Sequence, residues 1–397
     1  MTHAVLVDAA RTASGRGKPG GALSGVHPVD LLAEVLSTLA ERTGVDPAVI
    51  DDVIVGCVSQ AGEQTGNIAR QAVLAAGFPE EVPATTVDRQ CGSSQQAVTF
   101  AAQGVLAGAY DVVVAAGVES MSRVPMGSSV MGKDIYGERI KKRYPRGLIP
   151  QGYAAELLAA RWKVTREEMD EYAARSHRLA EQALSEGFFA RDIVPVPITD
   201  ADGNPGLHLR DETVRGSTTA ESLAELQPAF TNDTIAARYP EIDWRITPGN
   251  SSPLTDGASA VLIMSEERAE QLGLTPRARF VSFGLAAADP EIMFTAPIPA
   301  SQQALARAGL DIDAIDAYEV NEAFAPVPLV WAKEVGADPA RLNPRGGAIA
   351  LGHALGSTGT RLLGTLVTHL ESTGGRYGLQ TVCEAGGLAN ALVVERL

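Results

Sequence analysis

Three side chains able to change protonation state stand among small residues at widely separated points: Cys91 in VDRQCGSSQQAV, His353 in NPRGGAIALGHALGSTG and Cys383 in TVCEAGGLANA. Upstream of Cys91, Val82 to Val87 carries β-branched residues, while Gln95 to Leu106 has helical spacing, so the chain is expected to turn at the cysteine. A thiol there faces the free N–H groups of a helix N-terminus, whose partial positive charge favours the thiolate, the form that attacks carbonyls. The competing reading is a buried cysteine acting as a small hydrophobe, and this stretch alone leaves both open. His353 is set between glycines, which permit close backbone approach to a ligand. His3, His27, His177, His208 and His369 read as packing or surface residues. NEAFA (321–325) adds Asn321 and Glu322 at the end of another strand-like run.

Positioning such distant groups needs a framework. AVLVDAA, the helical VDLLAEVLSTLAERTG, DDVIVGCV, the Cys91 segment and DVVVAAG (111–117) predict a mostly parallel sheet covered by helices. From about 119 to 249 the rhythm breaks into a basic loop, two strongly helical stretches and Pro/Gly/Asp-rich connections such as ITDADGNPG, which reads as an inserted, mostly helical subdomain. Thr165-Arg166-Glu167-Glu168 has the form of a capping box and should open a helix. An internal repeat is visible as well: GVDPAVIDDVIVG (44–56) resembles GLDIDAIDAYEVN (309–321), Gly92-Ser93-Ser94 resembles Gly356-Ser357-Thr358, and Tyr110 with its strand resembles Tyr377 with LQTVCEA. Two copies of one α/β domain are expected, each with a Gly-Ser-Ser/Thr helix start at a strand's C-terminal end, where open α/β sheets bind ligands.

Composition narrows the classes. The 397 residues are 45% hydrophobic and 20% charged, as in ordinary soluble enzymes, and imply two or three domains. No run is apolar and long enough to cross a bilayer, and no signal-peptide pattern opens the chain, so a cytoplasmic location is expected. Three distant cysteines argue against a disulfide framework. A net charge of −15 argues against general binding to nucleic acid or anionic membrane. One basic cluster, RIKKRYPR, reads as a solvated loop or a subunit contact.

Taken in order, AARTASGRGKPGGAL, the Cys91 segment, AAGVESMS, SHRLAEQAL, DGASAVLIMS, NEAFAPV, GGAIALGHALG and the CEAGG stretch resemble the thiolase family, in its 3-ketoacyl-CoA thiolase and acetyl-CoA acetyltransferase group, over essentially the whole length. The resemblance implies a layered αβαβα fold: an N-terminal α/β domain over 1–118 completed by about 250–270, an inserted loop domain over 119–249 covering the CoA site, and a C-terminal α/β domain over 271–397. It implies Cys91 as nucleophile, His353 as its base, and Cys383 as the acid/base at the substrate α-carbon. Asn321 would hold a water that, with His353, stabilises the enolate oxygen, and the backbone N–H groups of Cys91 and Ala385 would form a second oxyanion hole. Arg215, Ser222, Ser252 and Phe324 match CoA-binding positions. The substrates implied are acyl-CoA, acetyl-CoA and CoA, with no metal or separate cofactor, and the assembly a homodimer or homotetramer with 120–146 as a candidate tetramer contact.

Several positions depart from the family pattern. Ala354 follows His353 where proline is common, Ala385 replaces a glycine, and Gln151 stands where short-chain members carry methionine, which shifts the expected substrate towards longer or bulkier 3-ketoacyl chains. Alternative readings are a short-chain acetoacetyl-CoA thiolase, a carrier-protein ketoacyl synthase, and a non-catalytic thiolase-like lipid-binding protein. Two more distant ones are a dehydrogenase, from the GxGxxG match at 15–20, and a zinc site built from Cys91, His353 and Cys383.

Overall fold

The computed structural model describes residues 2–199 and 203–397. The middle of the ITDADGNPG connection, residues 200–202, lies outside the described residues. The first half runs β1 (Ala4–Thr12), β2 (Gly15–Arg16), α1 (Pro28–Thr43), β3 (Asp52–Gly56), α2 (Ile68–Ala75), β4 (Ala84–Val87), α3 (Ser93–Leu106) and β5 (Val112–Ser120). There follow α4 (Glu138–Arg143), α5 (Gln151–Trp162), α6 (Arg166–Ser185), β6 (Ile193–Val194), β7 (Val196–Thr199), β8 (Pro205–His208), α7 (Ala220–Ala224) and α8 (Asp233–Arg238). The chain then returns through β9 (Thr255–Ser265), α9 (Glu266–Gln271), β10 (Ala278–Ala287), α10 (Pro297–Ala308), β11 (Ala317–Val320), α11 (Pro326–Val335), α12 (Ala348–Leu351), α13 (Thr358–Thr373), β12 (Tyr377–Glu384) and β13 (Leu388–Arg396).

The repeat is visible in strand order. One half reads β1-β9-β5-β3-β4 and the other β10-β13-β12-β11, with a bridge from Tyr318 to Leu342 where a fifth strand would pair. The halves meet at β1 and β10 through only two paired positions, Val5 with Arg279 and Leu6 with Ala278. The expectation of a mostly parallel sheet is corrected. Only β3–β4, β3–β5 and β11–β12 of the main strands run parallel, because β9 and β13 return antiparallel beside β5 and β12.

Period-two alternation places the strands between two apolar layers. Val5, Val53, Val55, Val112 and Val114 face α1 and α2, whereas Leu6, Ile54, Val113 and Ala115 face α3 and α13. The inner layer also takes Leu392 and Val394 of β13 and Phe280 of β10, so α3 and α13 form a shared central layer. Outside the second half lie α10 and α11, joined by α5 and α6. The result is αβαβα. Thr165 and Glu168 make the reciprocal capping box at the start of α6. Among the described residues no helix is long and apolar enough to cross a membrane.

Candidate active site

Cys91 occupies the turn between β4 and α3, one residue before the N-cap Gly92, and is 5% exposed. Ser93 holds that turn by accepting from the Arg89 N–H at 2.9 Å and donating to the Gln90 carbonyl at 2.6 Å. Cys383 is the penultimate residue of β12 and Asn321 directly follows β11, which pairs parallel with β12. His353 follows α12 and Gly352, and its backbone N–H donates to Thr255 Oγ1 at 2.9 Å. Asn321 Nδ2 stands 3.4 Å from His353 Nε2 and 4.0 Å from Cys383 Sγ. Cys91 is near enough to Cys383 for a charge on one to raise the pKa of the other. The four side chains, from four stretches of the chain, are therefore gathered in the interior, and Cys91 packs there against Met121, Leu355, Leu362 and Val382. Gly356-Ser357-Thr358 does not follow a strand end as expected; α12 and a short 3-10 turn intervene before α13.

Hydrogen bonding selects a histidine tautomer. Thr358 Oγ1 donates its one proton to the Ala354 carbonyl at 2.8 Å, so it can only accept from His353 Nδ1, 2.7 Å away. That leaves the Nε2 lone pair as the acceptor facing Asn321 Nδ2. Burial pushes the His353 pKa down to about 3, with Arg361 adding to the shift, so the ring is neutral at ordinary pH. Burial likewise raises Cys91 well above the usual thiol value, reinforced by Cys383 and Glu384. Desolvation of the buried sulfur thus opposes the pull of the helix N-terminus towards the thiolate. Cys383 is pushed up to about 12 by burial, against the pull of the Asn321 amide and the Ala323 N–H. The resting site holds two neutral thiols and a neutral imidazole.

Two buried carboxylates, of which the sequence marks only Glu322, fix the loops. Glu119, at the end of β5, accepts from the N–H groups of Val58, Ser59 and Gly356 and from Gln64 Nε2, at 2.9–3.0 Å, joining the first half to the loop that follows His353. Glu322 accepts from Tyr172 and Ser176 at 2.8 Å, from Asn343 Nδ2 at 2.9 Å and from the Ile349 N–H at 3.0 Å. Tyr172 and Ser176 are four residues apart on one face of α6, so Glu322 anchors that helix beside Asn321. No local pattern marks Glu119, whereas Glu322 stands in NEAFA at a strand end.

A cavity of about 410 Å3 is lined by Arg16, Lys18, His177, Arg215 and Ser252 among others. Ser252 is tied to the Asn321 strand end, with its N–H and hydroxyl both donating to the Ala323 carbonyl at 3.0 and 3.1 Å. His177, read from sequence as packing, accepts from the Arg215 N–H through Nδ1 at 3.2 Å on the cavity wall. Two other expected CoA contacts are not on this wall. Ser222 is absent from the lining because its hydroxyl closes the cap of α7 against Thr219. Phe324 packs in an aromatic cluster with Phe230 and Phe294, with ring centroids 6.1 and 5.6 Å away. Ala385 has no positive φ, so its Cβ is unstrained, while Gly386 and Gly387 at +83° and +80° take the left-handed positions. Gly15–Arg16 is a strand paired with β9 and opens no helix, which removes the dinucleotide reading. Among the described residues no group of three or more His, Cys, Asp or Glu side chains converges as a metal ion requires.

Comparison with known proteins agrees with this geometry. The thiolase N-terminal domain matches residues 4–267 and the thiolase C-terminal domain residues 274–396. The chain is 48% identical to the Mycobacterium tuberculosis steroid 3-ketoacyl-CoA thiolase FadA6, covering 100% of this chain and 95% of that protein. It is 41% identical to an Acinetobacter baylyi β-ketoadipyl-CoA thiolase, with both chains fully covered. The crystal structure of a Bacillus anthracis acetyl-CoA acetyltransferase superposes with a TM-score of 0.89 at 38% identity, covering 100% of this chain and 99% of that one. With both domains matched end to end, the chain belongs to the thiolase family and is an acyltransferase with acyl-CoA thiolase activity.

Proposed function

We propose that this chain cleaves a 3-ketoacyl-CoA with CoA, reversibly, to acetyl-CoA and a shortened acyl-CoA, in the degradation of a long or bulky acyl chain. The observation that carries the assignment of roles is the lone pair of His353 Nε2, set against Asn321 Nδ2, an amide that also reaches Cys383 Sγ. Nε2 takes the Cys91 thiol proton as the sulfur attacks the 3-keto carbon, whose oxygen is received by the Cys91 and Ala385 N–H groups. The C2–C3 bond breaks and its electron pair becomes the acetyl-CoA enolate, whose oxygen meets the new Nε2–H and a water on Asn321. The Cys383 thiol then gives its proton to C2. CoA attacks the acyl-Cys91 thioester and its thiol proton restores Cys383, while Cys91 recovers its proton from His353. Each step is borne by this chain's own groups, with CoA as a substrate and no metal or prosthetic group assigned.

In this reading residues 119–249 cover the CoA, between an N-terminal unit over 1–118 (completed by about 250–270) and a C-terminal unit over 271–397. Arg215 and Ser252 line the cavity that would take it, with Ser222 and Phe324 as the further contacts. The enzyme works in the cytoplasm as a homodimer or homotetramer. Exposed Met131, Ile135 and Ile140 in the 120–146 segment support a tetramer contact there. The absence of methionine at Gln151, and relatives named for steroid and β-ketoadipyl substrates, favour bulk over acetoacetyl-CoA.

Thiolysis rates across acetoacetyl-CoA, medium-chain, long-chain and branched or ring-bearing 3-ketoacyl-CoAs test this choice. The highest kcat/KM is expected on a bulky member; a maximum on acetoacetyl-CoA would establish the short-chain reading instead. Cys91→Ala should abolish acyl transfer with the fold intact, whereas Cys383→Ala should still give a trapped acyl-enzyme by mass spectrometry.

A further inference from the structure

Glu384, the last residue of β12, has no exposed surface and neither carboxyl oxygen has a hydrogen-bond partner. It follows Cys383 in the chain and reaches across to the turn that carries Cys91. A Cβ added at Gly92 would collide with Glu384 Oε1, and from the neighbouring β13 Asn390 Nδ2 donates to the Gly92 carbonyl at 3.0 Å. The carboxyl is thus wedged against the backbone next to one thiol and one residue from the other.

We infer that Glu384 is a positioning residue that works through charge: when ionised it suppresses thiolate formation at both Cys91 and Cys383, and when protonated it permits it. The inference rests on the reading of Cys91 as the nucleophile. Charges a few ångströms apart away from water interact strongly, and no hydrogen bond to the carboxyl oxygens spreads this one. The groups that face the cluster are Arg89 and Asp88 from the turn before Cys91, the two thiols, and Glu119 of β5 towards Cys91. Burial raises Glu384 to about 8, with Arg89 pulling down and Asp88 pushing up, so it ionises before either raised thiol does. Gly92 is then required because only a residue without Cβ lets the carboxyl approach.

The test is the pH dependence of Cys91 alkylation by iodoacetamide, followed by peptide mass spectrometry on the full chain, wild type against Glu384→Gln. The variant-to-wild-type rate ratio should rise about tenfold between about pH 7 and about pH 9.5, equivalent to one unit of thiol pKa. The acylation half-reaction should show the same rise. Because the glutamine amide brings N–H donors against Gly92, Glu384→Ala serves as a second variant. A ratio independent of pH in the folded variants overturns the inference, and so does failure of both variants to fold, which would make the carboxyl a packing element. Turnover by Cys91→Ala would instead overturn the nucleophile reading and leave the alkylation ratio as it is.

Discussion

Thr358 decides which nitrogen of His353 meets the chemistry. Its hydroxyl proton is committed to the Ala354 carbonyl, which directs the imidazole proton to Nδ1 and the lone pair to the pocket. Thr358→Val keeps the shape but leaves Nδ1–H buried and unpaired, a cost of about 1–3 kcal/mol that the ring can escape by turning or changing tautomer. Acylation should slow by at least about tenfold with KM little changed, and Thr358→Ser should restore it. Rapid-quench measurement of acyl-enzyme decides; an unaltered rate in the valine variant means the tautomer is set elsewhere. The depressed histidine pKa gives a second expectation. With His353 neutral down to about pH 3, the acylation rate should show no inflection near the ordinary imidazole value of about 6.5. An inflection there would show that the ring titrates as a solvated histidine does.

At the scale of elements, the repeat brings two helix starts together. Thr360 N–H donates to Ser94 Oγ at 3.1 Å, and Gln380 Nε2 donates to both Gln95 Oε1 and the Gly359 carbonyl, at 3.0 and 2.7 Å. A Cβ at Gly359 would collide with the Gln95 backbone nitrogen, so the closeness of α3 and α13 depends on that glycine. Gly359→Ala should lower stability by about 1–3 kcal/mol through overpacking. It should reduce kcat as well, since Cys91 and His353 each stand just ahead of one of these helices. Denaturant unfolding and thiolysis on one preparation check both; a variant as stable and active as the wild type would deny the close approach any role. The repeat was readable because 44–56 and 309–321 share spacing and residue type. Cys91, His353 and Cys383 were legible because thiols and imidazoles are rare and stood among small residues. Glu119 was not, and Glu322 was noted only as a polar group at a strand end: an acid buried by several donors looks, in sequence, like any acid at a strand end. Strand direction was lost for a similar reason, since an antiparallel strand with both faces buried carries the same apolar run as a parallel one.

For the molecule as a whole, two apolar layers and a shared helical layer leave many ionisable groups away from water, and folding stability must follow pH accordingly. His177, His353 and His369 are all depressed, to about 4, 3 and 4, chiefly by burial. Each stays neutral in the native state while the unfolded chain takes up a proton below about pH 6.5, so each removes stability as pH falls. Buried Asp192 and Glu384, raised to about 6 and 8, act in the opposite direction, binding protons in the native state that the unfolded chain has released. The net slope is a difference of these terms, so a single substitution isolates one of them better than the wild-type curve does. His177→Asn keeps an acceptor for the Arg215 N–H but cannot be protonated. Between pH 7 and pH 4 its stability should fall less than that of the wild type, by up to about 3 kcal/mol. Urea unfolding at several pH values measures the difference. Parallel curves for the two proteins would mean that His177 is protonated in the folded state as readily as in the unfolded one, and that the cavity wall it forms with Arg215 is open to water.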